Sequence, residues 1–395
     1  MTNTTCNLSY VVITPYTILK SRTGGVIARL LSRLELELIG AQMLHPDEEL
    51  VKKYADLTYK SVASKNEQTA QLLKNYILEQ LMPTEMGPRR IMFLLFKGEN
   101  ACEKLKAIVG KISAVGAKIK DTKITGETIR GTYADLVYDN DGNLKYFEPA
   151  VLSPQDDELL REKLQMFAEA ASRGSNVLTV KYDDMENIER TLVLIKPDNW
   201  KYPSSKPGNI IDMFSRTGLR IIGCKIYQMS VSEALNFYGH VKDALRSKLS
   251  PKIGIQAREI LERELKIKLD AKVQEKLSEL IGIPYADEQF NQIIEFMSGK
   301  RPENCPVSEF NAPGMVKTMA LIYEGKNAVK RIREVLGPTD PTKAPSGTIR
   351  KEFGKDVMVN TAHASDSVEN AIREMGIIKI QYNPLANIIR EQLKI

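Results

Sequence analysis

Apolar and polar positions along the second half of the chain change period at regular intervals, and each period assigns an element. Thr191 to Ile195 is a continuous apolar run of strand length. Ile210, Ile211 and Phe214 then recur at helical spacing, and Gly218 follows where a helix C-terminus favours positive φ. Leu219 to Tyr227 reads as a second strand. Ser230 and Glu233 have the spacing of a capping box, ahead of a helix carrying Leu235 and Tyr238. Val316 to Tyr323 is another apolar strand, and Ala328 to Leu336 a helix closed by Gly337-Pro338. A last strand is expected around Val357–Val359, then a helix from about Ser367 to Glu374. The order is βαββαβ, which predicts an α+β, ferredoxin-like fold with an antiparallel sheet and helices on one face.

The same succession occurs earlier. Ser32 to Gly40 aligns with Ser215 to Gly223, and the same offset pairs Gly25 with Gly208 and Ile27 with Ile210. Ile13-Thr14-Pro15 matches Ile195-Lys196-Pro197; Gly98, Asn100 and Ala101 match Gly325, Asn327 and Ala328; Thr128-Ile129-Arg130 matches Thr348-Ile349-Arg350. Order is kept while the offset drifts, as in two copies with different loop insertions. Two ferredoxin-like repeats are therefore expected, residues 1–185 and 186–395. The boundary falls in polar turn material near 172–187, after a helical run from Asp156 to Ala171. The repeats are expected to pack on each other as an intramolecular pseudo-dimer.

Composition narrows the classes. With 395 residues the chain can build two or three cores. Its 56 basic and 50 acidic residues leave a net charge of +6, which suits an anionic small ligand and is no nucleic-acid signature. Cys6, Cys102, Cys224 and Cys305 are too far apart for a C-x-x-C metal site and are expected as reduced thiols. No basic-then-apolar leader opens the chain, and no run approaches the ~20 apolar residues of a membrane span. A cytoplasmic protein is expected, with no membrane and no nucleic acid among its partners.

Between Gly337 and Ser367 lies a long stretch of weak periodicity, where long irregular loops are often functional. It holds Thr339, Lys343, Arg350, Asn360 and His363, with Arg333 on the helix before it. Arginine forks and neutral amide or hydroxyl donors suit polyphosphate, and His363 is a candidate nucleophile. Asp366 and Glu369 have capping-box spacing, so His363 is expected just before a helix N-terminus, whose field favours a neutral ring. His45, before Pro46, reads as structural, and His240 as a surface residue.

The motifs Thr191-Leu192-Val193-Leu194-Ile195-Lys196-Pro197-Asp198, Gly347-Thr348-Ile349-Arg350 and Asn360-Thr361-Ala362-His363-Ala364-Ser365-Asp366-Ser367-Val368-Glu369 resemble the nucleoside diphosphate kinase family. The resemblance covers most of residues 189–376. It implies ping-pong transfer of the γ-phosphate of a nucleoside triphosphate to a nucleoside diphosphate through a phosphohistidine on His363. It also implies that Lys196, Tyr238, Phe290, Arg333, Thr339, Arg350 and Asn360 bind nucleotide, with Phe290 stacking on the base, and that Ser365 and Glu374 support the histidine. Mg2+ is implied as a bridge between phosphate oxygens, with no metal ligand from the protein. Asn199 and Ala364 stand where the family has glycine. An insertion at about 247–289, with an amphipathic stretch from Ile255 to Leu280, and a second at about 300–312 separate the motifs, so a homo-oligomer is possible but no subunit number carries over. In the first repeat Thr14, Tyr16 and Lys106 replace the lysine, acid and Arg333 positions, and no histidine lies between His45 and His240. An inactive repeat is the simplest reading. The alternatives to an enzyme are a nucleotide-binding regulator and a protein-histidine phosphotransfer module.

Overall fold

The computed structural model describes residues 7–85, 87–112, 126–141, 144–155 and 157–395; Cys6 and Asp156 lie outside them. In chain order the first half holds β1 (Leu8–Ile13), α1 (Pro15–Leu19), α2 (Thr23–Arg33), β2 (Glu37–Leu44), α3 (Glu48–Ala63), α4 (Glu67–Leu81), β3 (Ile91–Lys97), α5 (Ala101–Val109), α6 (Ile129–Tyr133), β4 (Asp135–Tyr138), β5 (Leu144–Glu148), β6 (Val151–Leu152) and α7 (Leu160–Arg173). The second half holds β7 (Ile188–Ile195), α8 (Lys206–Ser215), β8 (Arg220–Tyr227), α9 (Val231–Leu265), α10 (Ala271–Leu277), α11 (Ile283–Ser298), β9 (Thr318–Lys326), α12 (Ala328–Leu336), α13 (Ile349–Phe353), β10 (Ala362–Ala364), α14 (Val368–Ile377) and α15 (Leu385–Leu393). No helix among the described residues is long and apolar enough to cross a membrane.

Two four-stranded sheets carry the architecture, ordered β2-β3-β1-β6 and β10-β7-β9-β8. In each, the first and third strands of the half lie side by side at the centre and pair antiparallel. The ordering and the helices between strands give an α+β fold of ferredoxin-like type. The central strands are buried apolar runs: Tyr10 to Ile13 and Ile91 to Phe96 in one sheet, Leu192 to Ile195 and Met319 to Tyr323 in the other.

Local geometry repeats between the halves. Asn100 and Asn327 precede α5 and α12 in the left-handed region, at φ 54° and 52°. Both helices run nine residues and end at glycines of φ 93° and 84°. Arg130 Nη1 donates to Gly110 O and its Nη2 to Val151 O at 3.1 Å; Arg350 donates to Gly337 O at 2.9 Å and to Ala362 O at 3.0 Å. The edge registers agree too: Ile13 faces Val151 and Val12 faces Leu152, as Ile195 faces Ala362 and Leu194 faces His363.

Contacts divide the chain into two compact units, and they do not follow the two halves. The second unit is Tyr227–Thr318 with Gly376–Ile378; the first holds the other described residues, both sheets included. Within the first unit α2 crosses α8 so closely that a Cβ on Gly208 would lie 2.1 Å from Ala28 N, and one on Gly24 2.2 Å from Asp212 N. The contact is reciprocal, Gly24 meeting Asp212 and Gly208 meeting Ala28. Asn383 Nδ2 lies 2.8 Å from Ala41 O on β2 and 3.0 Å from Cys224 O on β8, bridging the edges of the two sheets. The chain then returns to the first half: Leu385, Ala386 and Ile389 of α15 join the core of Tyr10, Phe93 and Phe167.

The second unit is mainly helical. The expected capping box is present, with Ser230 Oγ accepting from Glu233 N and Glu233 Oε2 from Ser230 N. The helix it opens continues through Pro251 to Leu265, so the expected helical insertion is an extension of α9 followed by α10. Arg246 clamps Asp287 through two bonds of 2.6 Å, tying α9 to α11.

Two expectations near the histidine are corrected. Val357–Val359 is not a strand: Asp356 Oδ1 accepts from Met358 N and Val359 N at 2.8 and 2.7 Å, closing a local turn that competes with pairing. The fourth strand is β10, and it contains His363. The helix after it is capped by Ser367, whose Oγ accepts from Asn370 N at 3.0 Å, while Asp366 holds the Asn370 side chain at 2.7 Å. No Asp366–Glu369 capping box forms, and His363 stands on a strand five residues before α14 rather than at its N-terminus.

Candidate active site

The sheet edge positions His363. Ala362 and Ala364 are buried while His363 between them is half-buried, the alternation of an edge strand with one face in the core. Ala364 adopts strand geometry in β10, and Ser365 N continues the pairing to Leu192 O at 3.1 Å, so a residue with a Cβ fits there. Thr361 just before it has φ 74°, a strained value for a branched residue, and is buried. Its carbonyl accepts from Lys196 N at 2.9 Å and from Asn199 Nδ2 at 2.7 Å. Asn199 also donates to Lys196 O at 2.9 Å. Asn199, which in sequence is only a departure from glycine, thus ties the lysine turn to the histidine strand; sequence carried no signal for that.

His363 Nε2 lies 2.9 Å from Glu374 Oε2, and Ser365 Oγ donates to the same oxygen at 2.7 Å. Glu374 is 2% exposed. A carboxylate oxygen only accepts, so the ring donates from Nε2 and the lone pair of the neutral tautomer lies on Nδ1. Glu374 therefore fixes both the ring plane and the tautomer.

Lys196 Nζ donates to Asn360 Oδ1 at 2.7 Å and lies 3.3 Å from Met358 O. Asn360 Nδ2 reaches Thr339 O at 3.1 Å and Val357 O at 2.7 Å. Lys196 is buried, and that burial, with the Arg350 guanidinium beside it, pulls its ammonium down to about 7. Arg350 is itself buried, joining the α12 cap to β10 through the bonds above. Arg333 is exposed at the end of α12 and shares a shallow depression with Asp366, Ser367 and Val368. The bond from Asn370, then Arg333 and His363 nearby, hold the Asp366 carboxyl below its ordinary value. Thr339 presents an exposed side chain before the turn at Pro341.

The first unit thus gathers His363, Ser365, Glu374, Lys196, Asn360, Thr339, Arg333 and Arg350. Tyr238 and Phe290 belong to the second unit. Both are buried, Tyr238 on α9 with its ring 4.9 Å from that of Phe237, and Phe290 on α11 with Lys242 Nζ 5.7 Å from its ring centroid. Of the other histidines, His240 is exposed on α9; burial and Arg90 push the His45 imidazole below its ordinary value.

The family model for nucleoside diphosphate kinase matches residues 189–246 and 286–381. The gap between the two segments falls in the helical insertion. The nucleoside diphosphate kinase of Anaeromyxobacter dehalogenans is 33% identical over 189 residues, which are 48% of this chain and 87% of that protein. That of a Nitratiruptor species is 30% identical over 194 residues, 49% of this chain and 97% of its own length. A solved nucleoside diphosphate kinase from Aquifex aeolicus is 27% identical over 48% of this chain and 94% of its own, with a TM-score of 0.29. The two sequence relatives point to a family of phosphotransferases of the kinase class. The chain belongs to the nucleoside diphosphate kinase family, on matches that span about half of it.

Proposed function

We propose that this chain is a nucleoside diphosphate kinase with one working site, in the second half, and that the first half is a copy of the same unit that has lost its chemistry. The observation that carries the reading is the Ser365–Glu374–His363 hydrogen-bond chain, because a ring anchored through Nε2 directs Nδ1 outward as the nucleophilic nitrogen of its neutral form. In the first step Nδ1 attacks the γ-phosphorus of a nucleoside triphosphate; a P–N bond forms, the bond to the bridging oxygen breaks, and the diphosphate leaves with that electron pair. In the second, a terminal oxygen of another diphosphate attacks the phosphohistidine, the P–N bond breaks, and the lone pair returns to the ring. The Nε2 proton stays on its bond to Glu374 throughout.

Lys196, Arg333, Arg350, Asn360 and Thr339, all in the first unit, are assigned to phosphates and ribose; the family resemblance assigns nucleoside contacts to Tyr238 and Phe290 of the second unit. Arg350 has a second duty. Two of its donors hold backbone carbonyls, as those of Arg130 do, so it positions β10 as well as bringing its positive charge to the phosphates. Among the described residues no group of three or more His, Cys, Asp or Glu is arranged to hold a metal. The phosphate-facing donors are cations and amides. Mg2+ would then come with the nucleotide, and Asp366, the acidic side chain at the rim, would face it. When bound there it supplies charge neutralisation for the phosphates.

What supports the inactive copy is register. Leu152 occupies in β6 the place of His363 in β10, and Thr14 that of Lys196, its N–H bonded to Ala150 O at 3.3 Å. Ala150 has φ 63°, matching Thr361. The reciprocal contact of α2 and α8 supports an intramolecular pseudo-dimer. The test of the function is a chase: protein labelled with γ-labelled ATP, freed of nucleotide, and mixed with a panel of nucleoside diphosphates. The label is expected to move to each diphosphate. Retention on the protein, or release as inorganic phosphate alone, contradicts the reading.

A further inference from the structure

A cavity of about 140 Å3 in the first unit is lined by Ser21 in the turn before α2, by Thr23 and Gly24 at the start of α2, by Arg90 before β3, by Arg220 of β8 and by Tyr323 of β9. It lies at the β8–β9 side of the second sheet, whereas His363 is on β10 at the opposite edge. Three observations agree on the chemistry it would take. First, Arg90 and Arg220 stand together. Arg90 Nη1 donates to Ile221 O at 2.7 Å, and Arg220 Nη1 to Lys181 O at 2.9 Å, with the Arg220 guanidinium 4.3 Å from the Tyr182 ring centroid. Both forks are therefore fixed, and each keeps further N–H groups. Glu324, the carboxylate that also acts on Arg90, is already bonded to Arg190. Second, Tyr323 is 1% exposed and its hydroxyl has no hydrogen-bond partner among the described residues, an arrangement that costs free energy unless something completes it. Third, α2 is an eleven-residue helix whose first N–H groups, without intrahelical partners as in any helix, receive no side-chain cap among the described residues.

We propose that this cavity is a second anion site, which takes a phosphate-sized oxyanion between Arg90, Arg220, the Tyr323 hydroxyl and the N-terminus of α2. Burial, and the Arg220 charge after it, push the Arg90 guanidinium below its ordinary value, the direction expected of two cations awaiting an anion. Burial also raises the Tyr323 phenol, which keeps it a donor. Because α2 comes from the first half and β8 and β9 from the second, an anion here would link the halves, and this gives the first half a binding role without a nucleophile.

The full chain carrying Lys196→Met, which weakens the nucleotide cleft, and the same chain with Arg220→Gln added, which reports on the second site alone, are titrated calorimetrically with inorganic phosphate and, separately, with a nucleoside monophosphate. Phosphate is expected to bind the Lys196→Met chain as it binds the wild type. Arg220→Gln is expected to weaken it about tenfold or more, and Tyr323→Phe, which removes only an unpartnered hydroxyl and so keeps the fold, about threefold to tenfold. Equal affinity for the two probes supports free phosphate as the ligand, and tighter monophosphate binding supports a phosphate monoester; both uphold the site. Phosphate affinity unchanged in both Arg220→Gln and Tyr323→Phe, its loss in Lys196→Met alone, or no binding to the wild type overturns the proposal.

Discussion

If Lys196 faces the nucleotide phosphates as proposed, nucleotide affinity is expected to depend on pH in a window that other groups would not select. Its ammonium is held to about 7 by burial and by Arg350. Phosphates placed beside it reverse that balance and return it to the charged form. Binding therefore takes up a proton above pH 7 and weakens as pH rises through that value. With a free-state value of about 7, the charged fraction falls from about one half at pH 7 to about 0.09 at pH 8 and 0.01 at pH 9. The dissociation constant of a nucleoside diphosphate is then expected to rise about fivefold from pH 7 to 8 and about fiftyfold by pH 9, some 2.3 kcal/mol. Phosphate monoesters have lost their last proton over this range, so the ligand contributes little. The assay is calorimetry on the wild type and on Lys196→Met, each in buffers of different ionisation enthalpy. Lys196→Met is expected to bind more weakly at pH 7, with a flat profile and no proton uptake. A wild-type profile that is flat from pH 7 to 9, or an equal slope in the variant, would refute the reasoning.

Other outcomes follow from the geometry. Glu374→Gln removes the charge that orients His363, and is expected to slow phosphoenzyme formation ~100-fold with little change in nucleotide affinity, read by rapid quench; an unchanged rate contradicts the role given to Glu374. Gly208→Ala places a Cβ against Ala28 N and is expected to cost about 3 kcal/mol by urea unfolding, while an unchanged midpoint means that α2 and α8 are not in contact. Leu385→Ala opens the core that α15 completes in the first half, costing about 2–5 kcal/mol by the same measurement; a negligible cost would mean that α15 does not pack there.

Local signals were the readable part of this sequence. The limits of α12 coincide with the Asn327 and Gly337 turns, the capping box at Ser230 forms as written, and Gly218 takes φ 63°. Asp47 and Asn66 cap α3 and α4 in the ordinary way, and these helices were readable in principle though not assigned. Local capture of the backbone and nonlocal pairing hid the rest. Val357–Val359 has strand composition, yet Asp356 captures its backbone first. The β10 strand is only three residues long, and Thr361 before it carries a φ that nothing in its side chain announces. The site residues stood in the motifs, but Asn199 gained its place only through two carbonyls that the fold brings to it. The docking of α15 in the far half's core depends on pairings across more than 200 residues, which no local pattern records.

The most direct measurement of the central claim is acid-labile phosphate on purified protein after exposure to ATP. The wild type is expected to take up one phosphoryl group per chain, labile to acid and stable to base. His363→Ala is expected to take up none while still binding nucleoside diphosphate with near wild-type affinity, because the binding donors are other side chains. Uptake by His363→Ala at the wild-type level would contradict the account, since it would place the carrier elsewhere in the chain.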